Sequence, residues 1–230
     1  MSRGQPVIKW SGSKRLLADE IIKYFPDFSG TYFEPFLGGG SILLSLIDFW
    51  NKLKTNPQFL ADFYTDEWTR LQADYTEFTR VRERYNKTHK GEDLLFLSRT
   101  CVNGLIRYNK KGEFNNSLHY SRKGIDPSTL RKVLISASEQ IQEYEFLCGD
   151  YSTILEMVKE GDFVYLDPPY FNTKSMYYGK IDYELLWNFL RQLNKKKVKF
   201  ALSFDGYSEQ RNYECLIPND LFKRHILIKG

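Results

Sequence analysis

A four-residue motif behind an apolar run constrains this chain more than any other feature. Residues 161–166 read Gly-Asp-Phe-Val-Tyr-Leu, which is typical of a buried parallel strand, and Asp167, Pro168, Pro169 and Tyr170 follow directly. Because proline has no N–H, the motif cannot continue a strand ladder, and the Pro168 carbonyl is left to accept a hydrogen bond. In open α/β sheets, ligands bind beyond the carboxyl ends of the strands. The sequence therefore predicts an α/β fold with a binding site at this position.

The chemistry of the motif favours a planar ring that carries an exocyclic amine. Asp167 and the Pro168 carbonyl would each accept one amino hydrogen, which draws the nitrogen lone pair out of the ring and directs it at an electrophile. Tyr170 would stack on the ring. The alternative is a surface turn, since consecutive prolines are common in loops.

Two further segments that could border a ligand precede this motif in the chain. Residues 31–36 predict a strand that leads through Gly38-Gly39-Gly40 into a helix, and glycines let a backbone approach a ligand closely. Leu43 stands where the dinucleotide fingerprint has its third Gly or Ala, so that fingerprint is absent. Near the N-terminus, residues 9–14 read Lys-Trp-Ser-Gly-Ser-Lys. Each segment alone also fits an ordinary strand–helix turn or an N-terminal arm.

Taken in order, the three segments resemble the Dam-like (D12 class) DNA adenine-N6 methyltransferases, from about residue 7 to about residue 205. The resemblance implies an α/β, Rossmann-like sheet that uses S-adenosylmethionine to methylate adenine N6 in duplex DNA, with the base flipped out of the helix. It implies that the catalytic residues are Asp167, Pro168 and Tyr170. The residues that it implies for cofactor binding are Trp10, Lys14, Glu34, Pro35, Phe36, Gly38, Gly40, Asp150, Tyr151 and Asp167.

Two of these cofactor positions have an alternative interpretation. Residues 144–148 predict a short strand, and Asp150 and Tyr151 lie in the polar turn that follows. The resemblance implies that Asp150 accepts a hydrogen bond from the adenine amine of the cofactor and that Tyr151 packs on its face. Asp150 or Ser152 would equally cap a following helix. The sequence leaves both open.

Residues 52–135 predict an inserted target-recognition subdomain, with the catalytic domain formed by residues 1–51 and 136–230. The insertion shows helical periodicity over residues 68–85 and a hairpin signal around residues 109–112. Basic residues interleaved with aromatics suit phosphate contacts and base-edge readout. The resemblance implies DNA contacts from Asn103, Arg107, Asn109, Lys110 and Arg122, with Arg107 on a guanine. For Lys110, a solvated hairpin without a specific role is the alternative. Because residues 114–118 depart from the Dam pattern, the target site is free to differ.

The composition limits the size, the metal content and the partners expected of this protein. The 230 residues, 42% of them hydrophobic, suit one compact domain with a small insertion, and a net charge of +4 permits nucleic-acid binding. The three cysteines are far apart and the three histidines are scattered, which predicts neither a metal site nor a disulfide framework. With no signal peptide or membrane-length apolar run in the sequence, we expect a cytoplasmic protein whose partner is double-stranded DNA. A restriction–modification role would add a cognate restriction endonuclease that acts on the same site.

The pattern breaks after the glycine loop. The family carries a second strand there, ending in a carboxylate for the cofactor ribose, but residues 43–47 run straight into what resembles the next helix. Asp48 falls within that helix, so we do not assign it the ribose role. We hypothesise that residues 46 and 47 are not neighbours in the natural protein. Members of the family also continue into further strands after the position of residue 206, whereas this sequence ends at Gly230.

Three other functions remain open. N4-cytosine methyltransferases act on a similar amine but more often carry Ser-Pro-Pro-Tyr, and methyltransferases of protein glutamine usually carry Asn-Pro-Pro-Tyr. A decayed methyltransferase that binds DNA without catalysis is the alternative outside the enzymes. The missing ribose carboxylate is its only support.

Overall fold

The structure is a computed structural model that describes residues 6–8, 17–36, 43–168, 182–204 and 217–228. Its contacts divide the chain into two compact units, which we call the helical unit (Met1–Ser13 and Ser41–Cys148) and the sheet unit (Lys14–Gly40 and Gly149–Gly230). In chain order the main elements are α1 (Ala18–Ile22), β1 (Tyr32–Phe33), α2 (Leu43–Thr55), α3 (Pro57–Ala73), α4 (Thr76–Thr88), α5 (Gly91–Thr100), α6 (Pro127–Gln140), β2 (Phe163–Leu166), α7 (Tyr183–Lys195) and β3 (Lys199–Leu202). Short 3-10 helices cover Val102–Gly104 and Tyr151–Glu156.

The sheet unit contains a small parallel sheet in the order β1-β2-β3. All four residues of β2 are buried, as expected for the central strand of a covered parallel sheet. Helix α7 packs against the sheet through an apolar face that includes Leu186, Leu190 and Leu193. Its first turn is capped by Asp182, whose carboxylate accepts from the N–H groups of Glu184 (2.9 Å) and Leu185 (3.2 Å).

Asp162 fixes β1 beside β2 from the amino end of the sheet. Asp162 is 1% exposed, and its carboxylate accepts from the N–H of Thr31 (2.8 Å) and of Lys159 (2.9 Å). The Gly161 carbonyl accepts from the N–H of Gly30 at 2.9 Å. These contacts hold the strand that leads to Glu34 in register with the strand that leads to Asp167.

The helical unit is built around α5, which is buried over its whole length. Helix α2 crosses α5 so closely that a Cβ added to Gly91 would lie 2.4 Å from the Phe49 backbone nitrogen. Asp48 accepts a hydrogen bond from the Gly91 N–H at 2.7 Å and forms an ion pair with Lys52 at 2.6 Å. Asp48 therefore caps the amino end of α5. Since α2 runs unbroken from Leu43 to Thr55, no strand interrupts it, as the sequence indicates.

Several predicted elements need correction. Residues 144–148 form no strand, because Phe146 stacks on Trp50 of the helical unit (ring centroids 5.4 Å apart) and the Tyr144 carbonyl accepts from Lys54 rather than from a neighbouring strand. The periodic stretch 68–85 is two helices, α3 and α4. The break lies at Asp74, whose side chain accepts from the Thr76 N–H at 2.8 Å. The strands predicted at 31–36 and 161–166 are present but shorter. Within the described residues, no helix is both long and apolar enough to cross a membrane.

Candidate active site and nucleic-acid interface

The carboxyl ends of β1 and β2 bring two predicted site residues to one edge of the sheet. The strands are parallel neighbours, with Phe33 opposite Val164, so the chain leaves both at the same edge. Glu34 follows β1 immediately, and Asp167 follows β2. Pro168, next in the motif, is buried. The structure therefore confirms that the Asp-Pro motif begins at the carboxyl end of a buried parallel strand.

The electrostatics of this edge are anionic. Burial raises the pKa of Glu34 above its ordinary value, and the nearby negative charge of Asp167 raises it further. The Tyr32 hydroxyl donates to the Glu34 carboxylate at 2.9 Å and opposes part of that rise. Two carboxylates that repel each other form a site that a cation would stabilise.

An aromatic wall stands at the same end of the sheet unit. The rings of Phe36 and Tyr151 lie 5.0 Å apart at an interplanar angle of 31°, and Tyr151 meets the Phe189 ring edge-on at 5.1 Å. Asp150 caps the 3-10 helix that begins at Tyr151, because its carboxylate accepts from the Ser152 N–H at 2.9 Å. The capping interpretation of Asp150 is thus confirmed as a contact, while the cofactor roles of Asp150 and Tyr151 stay predictions.

Ser203 is a site neighbour that sequence reasoning missed. Its N–H donates to the Leu166 carbonyl at 2.8 Å, and its hydroxyl lies 2.7 Å from that of Tyr165. The chain after β3 is therefore held beside the residue that precedes Asp167. No local sequence pattern identifies Ser203, because its partners lie nearly forty positions away in the chain.

The predicted hairpin is present in the helical unit. Antiparallel bridges join Tyr108 to Phe114 and Cys101 to Leu118. Asn109 organises the turn, since its side-chain oxygen accepts from the N–H groups of Lys111 (2.8 Å) and Glu113 (3.0 Å). Asn109 therefore has a structural role here, which its prediction as a DNA contact did not include.

Arg107 extends from this hairpin in an ordered position. It is exposed, and its Nε donates to the Asn115 side-chain oxygen at 3.0 Å. Asn103 is also exposed and has a φ of 58°, a left-handed conformation that Asn tolerates better than most residues. Lys110 and Arg122 are exposed as well. Of the five predicted DNA contacts, these four thus present exposed side chains, whereas Asn109 is partly buried, and the roles of all five on DNA stay predictions.

Comparison with known proteins assigns the family. A family model described as D12 class N6 adenine-specific DNA methyltransferase matches residues 10–228. The chain belongs to this family. The resemblance stated from the Lys-Trp, Phe-Glu-Pro-Phe and Asp-Pro-Pro-Tyr segments is therefore confirmed.

Individual relatives agree with the D12 assignment. The chain is 30% identical to a type II methyltransferase, M.MjaIII, of Methanocaldococcus jannaschii, over 86% of this chain and 83% of the relative. It is 31% identical to a DNA adenine methylase of Serratia marcescens (74% and 68%) and 29% identical to a DNA N-6-adenine-methyltransferase of Escherichia phage P1 (71% and 24%). The first alignment runs to 247 positions, more than the 230 residues of this chain, so it carries gaps on this chain's side.

Part of the D12 pattern lies outside the described residues. These positions are Trp10, Lys14, Gly38, Gly40 and Tyr170. Pro35 lies between Glu34 and Phe36 at the end of β1. The structure thus describes the strand ends that border the site and brings together Glu34, Asp167, Phe36 and Tyr151 of the predicted set within one unit.

Proposed function

We propose that this protein is a site-specific DNA methyltransferase that transfers a methyl group from S-adenosylmethionine to adenine N6 in duplex DNA. The observation that carries the proposal is the Asp167-Pro168 sequence at the carboxyl end of the buried strand β2, beside Glu34, in a chain of the D12 family. The sheet would belong to a Rossmann-like methyltransferase domain, with residues 52–135 as its target-recognition insertion.

The residues at this edge fit S-adenosylmethionine. The cofactor carries a sulfonium and an ammonium group, and either positive charge would relieve the repulsion between Glu34 and Asp167. The Phe36 and Tyr151 rings offer apolar surface to its adenine. Trp10, Lys14, Pro35, Gly38, Gly40 and Asp150 complete the proposed binding set. When bound, the cofactor supplies an electrophilic methyl group.

The protein's task in the reaction is to orient an amine. The Asp167 carboxylate and the Pro168 carbonyl would each accept a hydrogen bond from one amino hydrogen, which would draw the nitrogen lone pair out of conjugation with the ring. Attack of this kind needs positioning more than a strong base, and it requires no covalent intermediate. Because the amine of a paired adenine lies within the base stack, the target base leaves the duplex, and Tyr170 stacks on it.

The hairpin of the helical unit would read the DNA. Exposed Arg107, held by Asn115, is suited to a bidentate contact with a guanine, which is the commonest specific contact of arginine. Asn103 lies at an exposed turn, and Lys110 and Arg122 suit phosphate contacts. Since one relative is a type II methyltransferase, we place the protein in restriction–modification, with a restriction endonuclease of the same site as partner.

Methylation of mixed-sequence duplex DNA with labelled S-adenosylmethionine tests the reaction. The digested product is expected to contain N6-methyladenine, and Asp167→Ala is expected to abolish the label. N4-methylcytosine in its place would identify a cytosine enzyme. Specific DNA binding by the wild type without any transfer would establish the non-catalytic alternative.

A further inference from the structure

A pair of hydroxyl groups joins the strand that carries the Asp-Pro motif to its neighbour in the sheet unit. The hydroxyl oxygens of Tyr165 and Ser203 lie 2.7 Å apart, so one of them donates a hydrogen bond to the other. Tyr165 belongs to β2 and is 7% exposed, whereas Ser203 follows the last residue of β3. The ends of the two strands are therefore joined through side chains as well as through their backbones.

Ser203 also extends the backbone ladder one residue beyond both strands. Leu166 lies opposite Leu202 at the end of the register, and the Ser203 N–H then donates to the Leu166 carbonyl at 2.8 Å. That carbonyl belongs to the peptide group that joins Leu166 to Asp167. Ser203 thus holds β2 at two points: its N–H binds the peptide group before Asp167, and its hydroxyl binds Tyr165.

Helix α7 supports Ser203 through the next residue in the chain. Phe204 packs against the rings of Tyr183, with centroids 5.8 Å apart, and of Trp187, with centroids 6.0 Å apart. Both rings belong to the helix that covers the sheet. Ser203 therefore lies between a packed aromatic residue on one side and the ladder of β3 on the other, which makes it a firm point of attachment for the end of β2.

The position of this attachment relative to Asp167 gives it a function. Tyr165 and Asp167 are two positions apart, which is the spacing of side chains that share one face of a strand. Pro168 follows and has no N–H with which to continue the ladder. The Asp167 carboxylate therefore moves with the last residues of β2, and Ser203 holds those residues.

We propose that Ser203 and Tyr165 are positioning residues for the reaction: their hydroxyl bond holds the end of β2 so that the Asp167 carboxylate meets the amino group of the target base at hydrogen-bonding distance. This inference rests on the proposed function, because it assumes that Asp167 accepts from that amino group. Neither hydroxyl needs to touch the substrate or the cofactor. Their contribution is geometric, and it belongs to the rate of the reacting step rather than to DNA binding.

Ser203→Val and Ser203→Thr form a matched pair that tests the hydroxyl alone, since valine and threonine have nearly the same shape and only threonine keeps the hydroxyl. We expect Ser203→Val to lower kcat for adenine methylation roughly tenfold, because a misplacement of about 1 Å can cost about a hundredfold and the shift expected here is smaller. The KM for DNA should stay unchanged, because the DNA contacts proposed for the hairpin are intact. Ser203→Thr should retain most of the wild-type kcat.

Tyr165→Phe removes the other partner of the same bond. If the two hydroxyls act through one hydrogen bond, Tyr165→Phe should lower kcat as much as Ser203→Val does, and the double variant should lose no more than either single variant. Tyr24→Phe is the matched control, because it removes a phenolic hydroxyl of the same unit that donates to Glu20 of α1 at 3.1 Å. It should leave kcat unchanged.

Three results would overturn the proposal. The first is a wild-type kcat in Ser203→Val or, if that variant does not fold, in Tyr165→Phe, which removes a single oxygen atom. The second is a double variant whose loss of kcat is the product of the two single losses, which would mean that the hydroxyls act separately. The third is a lowered melting temperature with an unchanged kcat per folded molecule, which would make the contact structural only.

Failure of the proposed function gives a different result. If the wild type transfers no methyl group, the assumption about Asp167 fails, and the role of the hydroxyl pair in the rate fails with it. The same double-variant comparison, made on the free energy of unfolding in urea, still decides whether the Tyr165 and Ser203 hydroxyls are coupled.

Discussion

Asp162→Ala should be the most informative single change in the sheet unit. The carboxylate of Asp162 joins Thr31, 131 positions earlier, to the turn at Lys159. It thereby sets how β1 lies against β2, and these strands carry Glu34 and Asp167. Removing it perturbs the geometry of the site without touching any residue assigned to catalysis or binding.

The magnitude follows from the two hydrogen bonds. They are 2.8 and 2.9 Å long, and Asp162, whose carboxylate accepts both, is 1% exposed. Alanine leaves two backbone N–H groups without their acceptor, at about 1–3 kcal/mol each. We therefore expect the free energy of unfolding to fall by about 2–6 kcal/mol. Asp162→Asn keeps one carbonyl oxygen but turns an NH2 group toward the second N–H, so it should lose about half as much.

Urea denaturation, followed by fluorescence, measures the loss, and calorimetry with S-adenosylhomocysteine measures its effect on the site. The affinity should weaken in the same order as the stability, with Asn between wild type and Ala. A fall of less than about 0.5 kcal/mol for Asp162→Ala, within the range of ordinary surface substitutions, would refute the claim that Asp162 locks the two strands.

Three further predictions concern other parts of the chain. Because the pKa of Glu34 is raised in the folded state, its charge destabilises the protein as the pH rises through that pKa. In urea denaturation, Glu34→Gln should therefore be more stable than the wild type at pH 8 but not at pH 4. The variant should also bind S-adenosylhomocysteine more weakly. If the wild type and Glu34→Gln are equally stable at pH 8 as well as at pH 4, this prediction is wrong. Gly91→Ala should lower the free energy of unfolding by about 1–3 kcal/mol, because its methyl group meets the backbone of Phe49, whereas Gly149→Ala, which meets only Thr153, should be mild. Intact-mass measurement of the natural protein should exceed 27.2 kDa if residues are absent between positions 46 and 47, and a mass of 27.2 kDa would rule this out.

The site was predictable where a local pattern fixes the geometry. An apolar run followed by Asp-Pro-Pro leaves few options besides a buried strand with its motif at the carboxyl end, and the structure has β2 at Phe163–Leu166. The same reasoning failed at residues 144–148. There an aromatic and aliphatic run packs on the helical unit through Phe146 and Trp50, and a short apolar run does not state which kind of neighbour will cover it.

Contacts between distant positions could not be predicted. Asp48 and Asp162 both looked unremarkable in sequence, one inside a helix and the other in a turn before a strand. The structure makes Asp48 the cap of α5, 43 positions away at Gly91. In each case the partner is a backbone N–H, which carries no signature in the amino-acid sequence.

The polarity of a parallel sheet explains why carboxylates at its two ends have different surroundings in the sheet unit. At the amino ends of parallel strands the backbone presents N–H groups, and Asp162 is satisfied there by the protein itself, through Thr31 and Lys159. At the carboxyl ends the strands present carbonyl oxygens, which cannot donate a hydrogen bond to a carboxylate. Glu34 and Asp167 lie at that end, where burial and the nearby charge of Asp167 raise the pKa of Glu34. A positively charged ligand would offset the repulsion between the two carboxylates, and the proposed cofactor, S-adenosylmethionine, carries such a charge.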